Sequence, residues 1–207
     1  MSTGAASVDA MASAAPVDLR RRRGEATRAR ILAVAGELFA ARGFDATSTH
    51  EIAAGADITV AAIYRHFPSK AELLVAVAHD ALETTFAETI DAGEALTAER
   101  VSDIVVAYVA PERATTRRLV IELTHAAANH PDVAAALQHF HARARGHIAA
   151  VLGAARLPVD PTLAARDVLL LMMGVCHIDA LDPSAIADPA WHRSLRASVD
   201  AIIGRRP

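Results

Sequence analysis

From about residue 27 to the C-terminus, apolar residues recur three and four positions apart, the period of helices that bury one face, and no stretch alternates as a half-buried strand would. Thr27 can cap a first helix that buries Ile31, Leu32, Ala35, Leu38 and Phe39, and Gly43 stands where a left-handed residue would end it. Two short helices follow. Ser48 and Thr59 are hydroxyl residues placed to accept from the unpaired N–H groups of each first turn. Ile52, Ala53 and Ala56 on one helix and Ile63 on the next form the inward side. Gly55-Ala56-Asp57 supplies small, turn-tolerant residues where the two must approach. Ser69 and Glu72 make a capping box for a longer helix that buries Leu73, Leu74, Val77, Ala81 and Leu82, continues to Phe86 and Ile90, and closes at Gly93.

Only helices are predicted beyond that point. The expected segments are Thr97 to Ala110, Pro111 to Asn129, Pro131 to Gly153, Pro161 to Ala180 and Trp191 to Gly204, with Pro183 to Pro189 as loop. About nine helices result, an all-α chain. The pair of short helices across a tight turn is the pattern of a helix-turn-helix, which leaves Val60, Ala61, Tyr64 and Arg65 on the flank of the second helix to enter a groove of DNA.

Composition agrees with helices, since 53% of residues are hydrophobic and only 4% aromatic, the mark of cores built from Ala and Leu. The run from Val168 to Cys176 is the longest apolar stretch and falls short of the roughly 17 to 25 residues a membrane crossing needs, so no membrane association is expected. Cys176 is the one cysteine and no secretory leader is visible, which points to the cytoplasm. Net charge is −3, but residues 1–70 carry 9 Lys+Arg against 7 Asp+Glu, leaving the remainder acidic. That asymmetry suits a DNA-facing N-terminal part. Residues 1–25 lack an apolar face and are expected to form a disordered basic arm. Its run Arg20-Arg21-Arg22-Arg23 reads either as a solvated tail or as an arm that tracks phosphates or the minor groove. The expected domains are 26–70 for DNA and 71–207 for the remaining helices.

Residues 27–74, through Ile31-Leu32, Leu38-Phe39, Gly43-Phe44, Thr47-Ser48, Ile52-Ala53, Ile63-Tyr64, His66-Phe67 and Ser69-Lys70, closely resemble the DNA-binding domain of TetR-family transcriptional regulators. The resemblance implies a three-helix, homeodomain-like helix-turn-helix domain followed by a helical ligand-binding and dimerisation domain. It implies a homodimeric repressor that binds a palindromic double-stranded operator and is released by a small, largely apolar ligand. A DNA-binding or architectural protein with no ligand response is the alternative.

The resemblance assigns DNA contact to Ser48, Thr49, His50, Val60, Ala61, Ala62, Tyr64, Arg65, His66 and Lys70. Tyr64 and His66 can donate to phosphates, and Lys70 can share one with the free N–H groups of its helix start. Val60, Ala61 and Ala62 offer only apolar contact, such as to thymine methyls, which leaves His50 and Arg65 as polar readers. Arg65 can pair with guanine or hold a phosphate. Asp57 departs from the glycine usual in the family's turn, and Val60 from its frequent polar residue.

In the second domain the resemblance implies a cavity, for which Tyr108, Leu123, His125, Asn129, Phe140, Met172, Met173, Cys176 and His177 are the candidate lining. Ordinary core packing explains the Met and aromatic positions as well. His125 and Asn129, four apart, are either a convergent polar pair or a helix-end hydrogen bond. His139, His141 and His147 do not share one helical face and lack a completing ligand, so no metal and no cofactor is expected. The chain offers no nucleophile, base and oxyanion constellation, and an enzyme is not expected. Leu169, Leu170, Met172, Met173 and Val175 exceed what one buried face needs, so the helices from Pro161 and from Trp191 are expected to pair with a second copy.

Overall fold

The computed structural model describes residues 9–89 and 97–205. Among them are ten α-helices, a 3₁₀ turn at Pro111–Arg113 and no strand. In chain order these are α1 (Asp9–Arg42), α2 (Thr49–Gly55), α3 (Val60–His66), α4 (Lys70–Thr89), α5 (Ala98–Ala107), α6 (Ala114–Asn129), α7 (Pro131–Ala154), α8 (Pro161–Leu181), α9 (Pro183–Ala187) and α10 (Pro189–Ile202).

Two expectations need correction. The arm expected over residues 1–25 is helical from Asp9, and α1 runs unbroken through Thr27. The Thr27 hydroxyl donates to the Arg23 carbonyl at 2.9 Å inside the helix and caps nothing. Ala and Arg are good helix formers, and Arg21 pairs with Glu25 at 2.9 Å one turn along. Extending a helix already nucleated by its packed half adds no new nucleus, so polar residues can follow the apolar ones into it. The second correction is the loop expected at Pro183 to Pro189, which contains α9. Asp182 accepts from the N–H groups of Ser184 and Ala185, and Pro183 occupies the first turn, where its missing N–H costs nothing. Asp160-Pro161 and Asp188-Pro189 start α8 and α10 in the same way. The stop expected at Gly93, with Ile90 and residues 1–8 of the expected arm, lies outside the described residues.

The chain builds two apolar clusters. One gathers Ile31, Phe39, Ile52, Ile63, Phe67 and Leu74 from α1 to α4 and takes in Leu119, Leu123 and Ala126 of α6 and Val133 of α7. The boundary expected at residues 70 and 71 therefore falls inside a continuous core. The other cluster joins α5, α6, α7, α8 and α10 through Val105, Tyr108, Val120, Leu152, Val168, Met172, Leu195 and Val199. No described helix is long and apolar enough to cross a membrane.

Polar contacts fix how α6 meets its neighbours. At one end of α6, Arg117 is 2% exposed; its Nε donates to Asp179 Oδ2 at 2.7 Å and its Nη1 to the carbonyls of Tyr108 and Ala110 at 2.7 and 2.9 Å. This guanidinium ties the turn after α5 to α8. At mid-helix, Glu122 accepts from the Phe44 N–H just past the end of α1. Beyond α6, His130 Nε2 lies 2.7 Å from Asp45 Oδ1, and its ring meets Phe44 edge-on at 5.1 Å. The left-handed Gly43 (φ 84°) lets the chain turn into this contact.

Arg117→Ala strands a nearly buried carboxylate and two carbonyls, and is expected to cost about 3–5 kcal/mol in urea unfolding. The double replacement Arg117→Met, Asp179→Leu is expected to cost less, because no unpaired charge remains buried.

Candidate DNA-reading face and ligand cavity

Each short helix is set by its caps. Ser48 Oγ accepts from the Glu51 N–H at 3.2 Å while Glu51 Oε2 accepts from the Ser48 N–H at 2.9 Å, a complete capping box. These bonds from Ser48, with Arg42 2.8 Å away, hold the Glu51 carboxyl below its usual range. Thr59 Oγ1 accepts from the Ala62 N–H at 3.2 Å and starts α3. Between the helices, the Ile58 N–H reaches the Ala53 carbonyl at 3.0 Å and the Asp57 N–H reaches that of Ala54 at 3.2 Å. That pair of bonds is a Schellman turn, and it puts the residue after the cap in the left-handed region. Asp57 adopts it at φ 50°, in the place where glycine is commonest. Gly55 is needed for a different reason: a Cβ there would stand 2.8 Å from Val34 Cγ1, so α2 lies directly against α1.

On α3, Ala61, Tyr64 and Arg65 are exposed and Val60 and His66 half-buried, with Tyr64 at 47% the most open large apolar residue of the two short helices. His50 is exposed and Thr49 half-buried on α2. Seven of the ten expected contacts are thus exposed or half-buried on α2 and α3. Three differ. Ala62 is 6% exposed and packs inward, because it sits one position before Ile63 on the buried side of α3. The Ser48 hydroxyl also donates to Glu51 Oε2 at 2.9 Å, so it is committed to the cap in both directions. The Lys70 ammonium lies 4.2 Å from the centroid of Phe44, and burial lowers its pKa. It faces the α1–α2 turn as much as it faces outward.

The remaining helices enclose an apolar cavity of about 40 Å³. Tyr108, Leu123, Phe140, Met172, Met173 and Cys176, all expected as lining, meet there, joined by His141 and Ile148. The Tyr108 hydroxyl and the Cys176 thiol are 3.3 Å apart. Burial drives both groups toward their neutral forms, the Tyr108 pKa well upward and the Cys176 pKa upward. Burial, then the nearby Arg145, lowers the pKa of His141 and keeps its imidazole uncharged too. Ile148 and Met172 also line a second apolar cavity of about 50 Å³ beside Val105 and Val168. Phe140 divides the first from an open cleft of about 620 Å³ between α4 and α7, whose walls carry Arg28, Glu72, His79, Asp80 and Arg143.

The other three expected lining residues are at the surface. Asn129 Nδ2 donates to the His125 carbonyl at 3.5 Å, the helix-end bond, so this pair does not converge on the cavity. His177 donates from Nδ1 to the Met173 carbonyl at 2.8 Å, back along its own helix. No group of three metal-binding side chains comes together among the described residues.

Residues 31–77, the segment that forms the capped pair of helices and its supports, match the family model of bacterial regulatory proteins of the tetR family. This N-terminal domain is thus similar to the DNA-binding domain of TetR-family regulators. No curated protein matches the chain. Among solved structures, GusR of Salmonella enterica is 25% identical, with a TM-score of 0.69 over 86% of this chain and 95% of that one. A putative TetR-family regulator from Rhodococcus sp. is 19% identical with a TM-score of 0.75, over 86% of this chain and 98% of its own. NalD, the secondary repressor of the MexAB-OprM multidrug efflux pump in Pseudomonas aeruginosa, is 21% identical with a TM-score of 0.58, over 87% and 95%. DNA-binding transcriptional regulation is the function that this likeness of the N-terminal domain supports.

Sequence reasoning gave Phe44 only as part of the resemblance and did not anticipate that it supports the reading unit. Its ring touches Phe39, His130 and Lys70, and its N–H binds Glu122. An aromatic residue directly after a helix-ending glycine was the available signal.

Tyr64→Phe removes a donor from the reading face and leaves the fold intact. It is expected to weaken binding to all duplexes alike while leaving the salt slope unchanged, because a phenol hydroxyl carries no charge to displace counterions, as checked by fluorescence anisotropy across a salt series. Arg65→Ala is expected to relax preference at one base position in a selection from random DNA, at a cost of about 1–3 kcal/mol for the preferred base. An unchanged preferred site would make Arg65 a phosphate contact.

Proposed function

We propose that this protein is a homodimeric transcriptional repressor that sits on a palindromic operator in the cytoplasm and is released by a small, largely apolar, uncharged ligand. The observation that carries the dimer is a stripe on α8. Leu163, Leu170, Ile178 and Leu181 are its large exposed apolar residues, Leu170 at 64% and Leu181 at 82%. Their spacings of seven, eight and three keep them to one side of the helix, and a side chain at Gly174 between them would meet nothing within 4 Å. A two-fold mate can lie close against such a strip. The stripe differs from the one expected, since Met172 and Val175 are buried in the protomer's own core and Leu169 and Met173 are half-buried.

Two copies are also what the reading face needs. A seven-residue helix offers only a small patch of contacts, and paired half-sites one helical turn apart turn two weak contacts into a tight one. The repressor direction is supported by the likeness to NalD, itself a repressor.

Release by ligand rests on the cavity behind Tyr108. Its polar groups are neutral, and Met172 and Met173 are side chains that repack readily around a guest. A ligand that widened this space would push on α6 and α7, which share a core with the reading unit, and so favour a different spacing of the two reading helices. One observation favours the rival reading of a regulator without ligand response. About 40 Å³ is little more than a water's share of volume, whereas ligand pockets run to roughly 300–1,000 Å³.

Leu170→Glu is expected to yield monomers in light scattering and to lose tight operator binding while keeping its helical circular dichroism. Screening apolar compounds against the operator complex decides between the two readings: a compound that lowers operator affinity at least tenfold supports release, and equal affinity for every compound bound in the cavity sinks it.

A further inference from the structure

Among the described side chains, those of α1 before Ile31 take no part in the reading unit's core. The C-terminal end of α1 meets Glu122 and His130 through Gly43, Phe44 and Asp45, so the opposite end points away from α6. Partway along, the Arg28 guanidinium lies 5.2 Å from the centroid of Phe67, the residue that caps the reading helix. From Arg28 back to Arg20 the helix adds eight residues, about 12 Å at a rise of about 1.5 Å each. That length carries α1 beyond the level of Phe67, away from the end of α1 that meets α6.

Arg20, Arg21, Arg22 and Arg23 are all exposed there. Between residues 20 and 30 six arginines stand against one acidic residue, Glu25, in a chain of net charge −3. Glu25 engages Arg21 at the surface, a contact that phosphate can replace. Successive residues step by about 100° around a helix, so four in a row face most directions and at least two meet a duplex lying alongside. A helix is about 10–12 Å across and the minor groove about 6 Å wide. A helical segment therefore cannot enter the minor groove as an extended arm does, and the atoms within its reach are phosphate oxygens.

We propose that the arginine tier of α1 is an auxiliary DNA contact that neutralises phosphates flanking the base pairs read by α3, without regard to sequence. It rests on the DNA-binding reading above and adds a surface outside the family's matched segment, which begins at residue 31. The tier sets affinity and salt dependence, and α3 sets the preferred sequence.

The test uses the full chain and the triple variants Arg20→Ala, Arg22→Ala, Arg23→Ala and the same positions to Lys, with a random-sequence 40-base-pair duplex and a duplex selected from a random pool. Alanine and lysine both favour helix, so circular dichroism should be unchanged. The alanine triple is expected to bind both duplexes more weakly by the same factor. Its slope of log affinity against log salt should be shallower by about 0.9 for each lost phosphate contact, about two per protomer. The lysine triple is expected to keep the original slope, and the selected sequence should be the same for all three proteins. If the unaltered protein binds and the alanine triple has the same slope, or if the lysine triple loses as much as the alanine one, the tier is no phosphate contact. If the unaltered protein ignores both duplexes at low salt, the DNA-binding reading falls, and this proposal with it.

Discussion

The reading helices have no core of their own. Ile52 and Ile63 are buried against α1, and that small cluster closes only by including Leu119, Leu123, Ala126 and Val133 from α6 and α7. A unit of about fifty residues buries a smaller share of its apolar surface than a larger body does, and sharing a core with the helices above offsets that deficit. The position of α3 is thereby referenced to α6 by packing, and the polar contacts of Glu122 and His130 fix the direction of the turn after α1. Packed cores shift between discrete arrangements rather than bending continuously. A change in α6 would therefore be carried to α3 through continuous packing.

The same logic explains where the polar groups sit. Arg117, the buried cation of the second cluster, is spent on two carbonyls and Asp179 at the turn after α5, beside the cavity wall rather than inside it. What faces the cavity is neutral: a phenol, a thiol and an imidazole whose charge is suppressed by burial. A charged guest would have to leave water without a counter-ion.

Most of the helices were legible in the sequence, because period and punctuation agreed. Ser48 and Thr59 cap where expected, α5 begins at the expected Thr97, and Gly43 ends α1 in a left-handed conformation. The errors came from features that local pattern does not carry. The N-terminal half of α1 has no apolar stripe, so periodicity is blind to it, and only helix propensity argues for it. α9 is a single capped turn, hidden in a proline-bounded stretch whose Asp-Pro pair was the readable sign. At the candidate sites, spacing placed Tyr64 and Arg65 outward, but it could not tell that the Ser48 hydroxyl is consumed by its own cap, nor that Ala62 lies over the core edge. The cavity lining was legible for buried apolar residues and failed for His125, Asn129 and His177, where a bond to the helix's own backbone satisfies the side chain or its neighbour.

The shared core also limits how such a protein can be recombined. Grafting a foreign head onto these upper helices means matching four side chains that belong to the body, at positions 119, 123, 126 and 133. A hybrid joined at the connector helix, where the family's own boundary invites a cut, would bring together two half-surfaces that had never been fitted to each other. Viable chimeras will be those whose crossover carries these four residues along with the head.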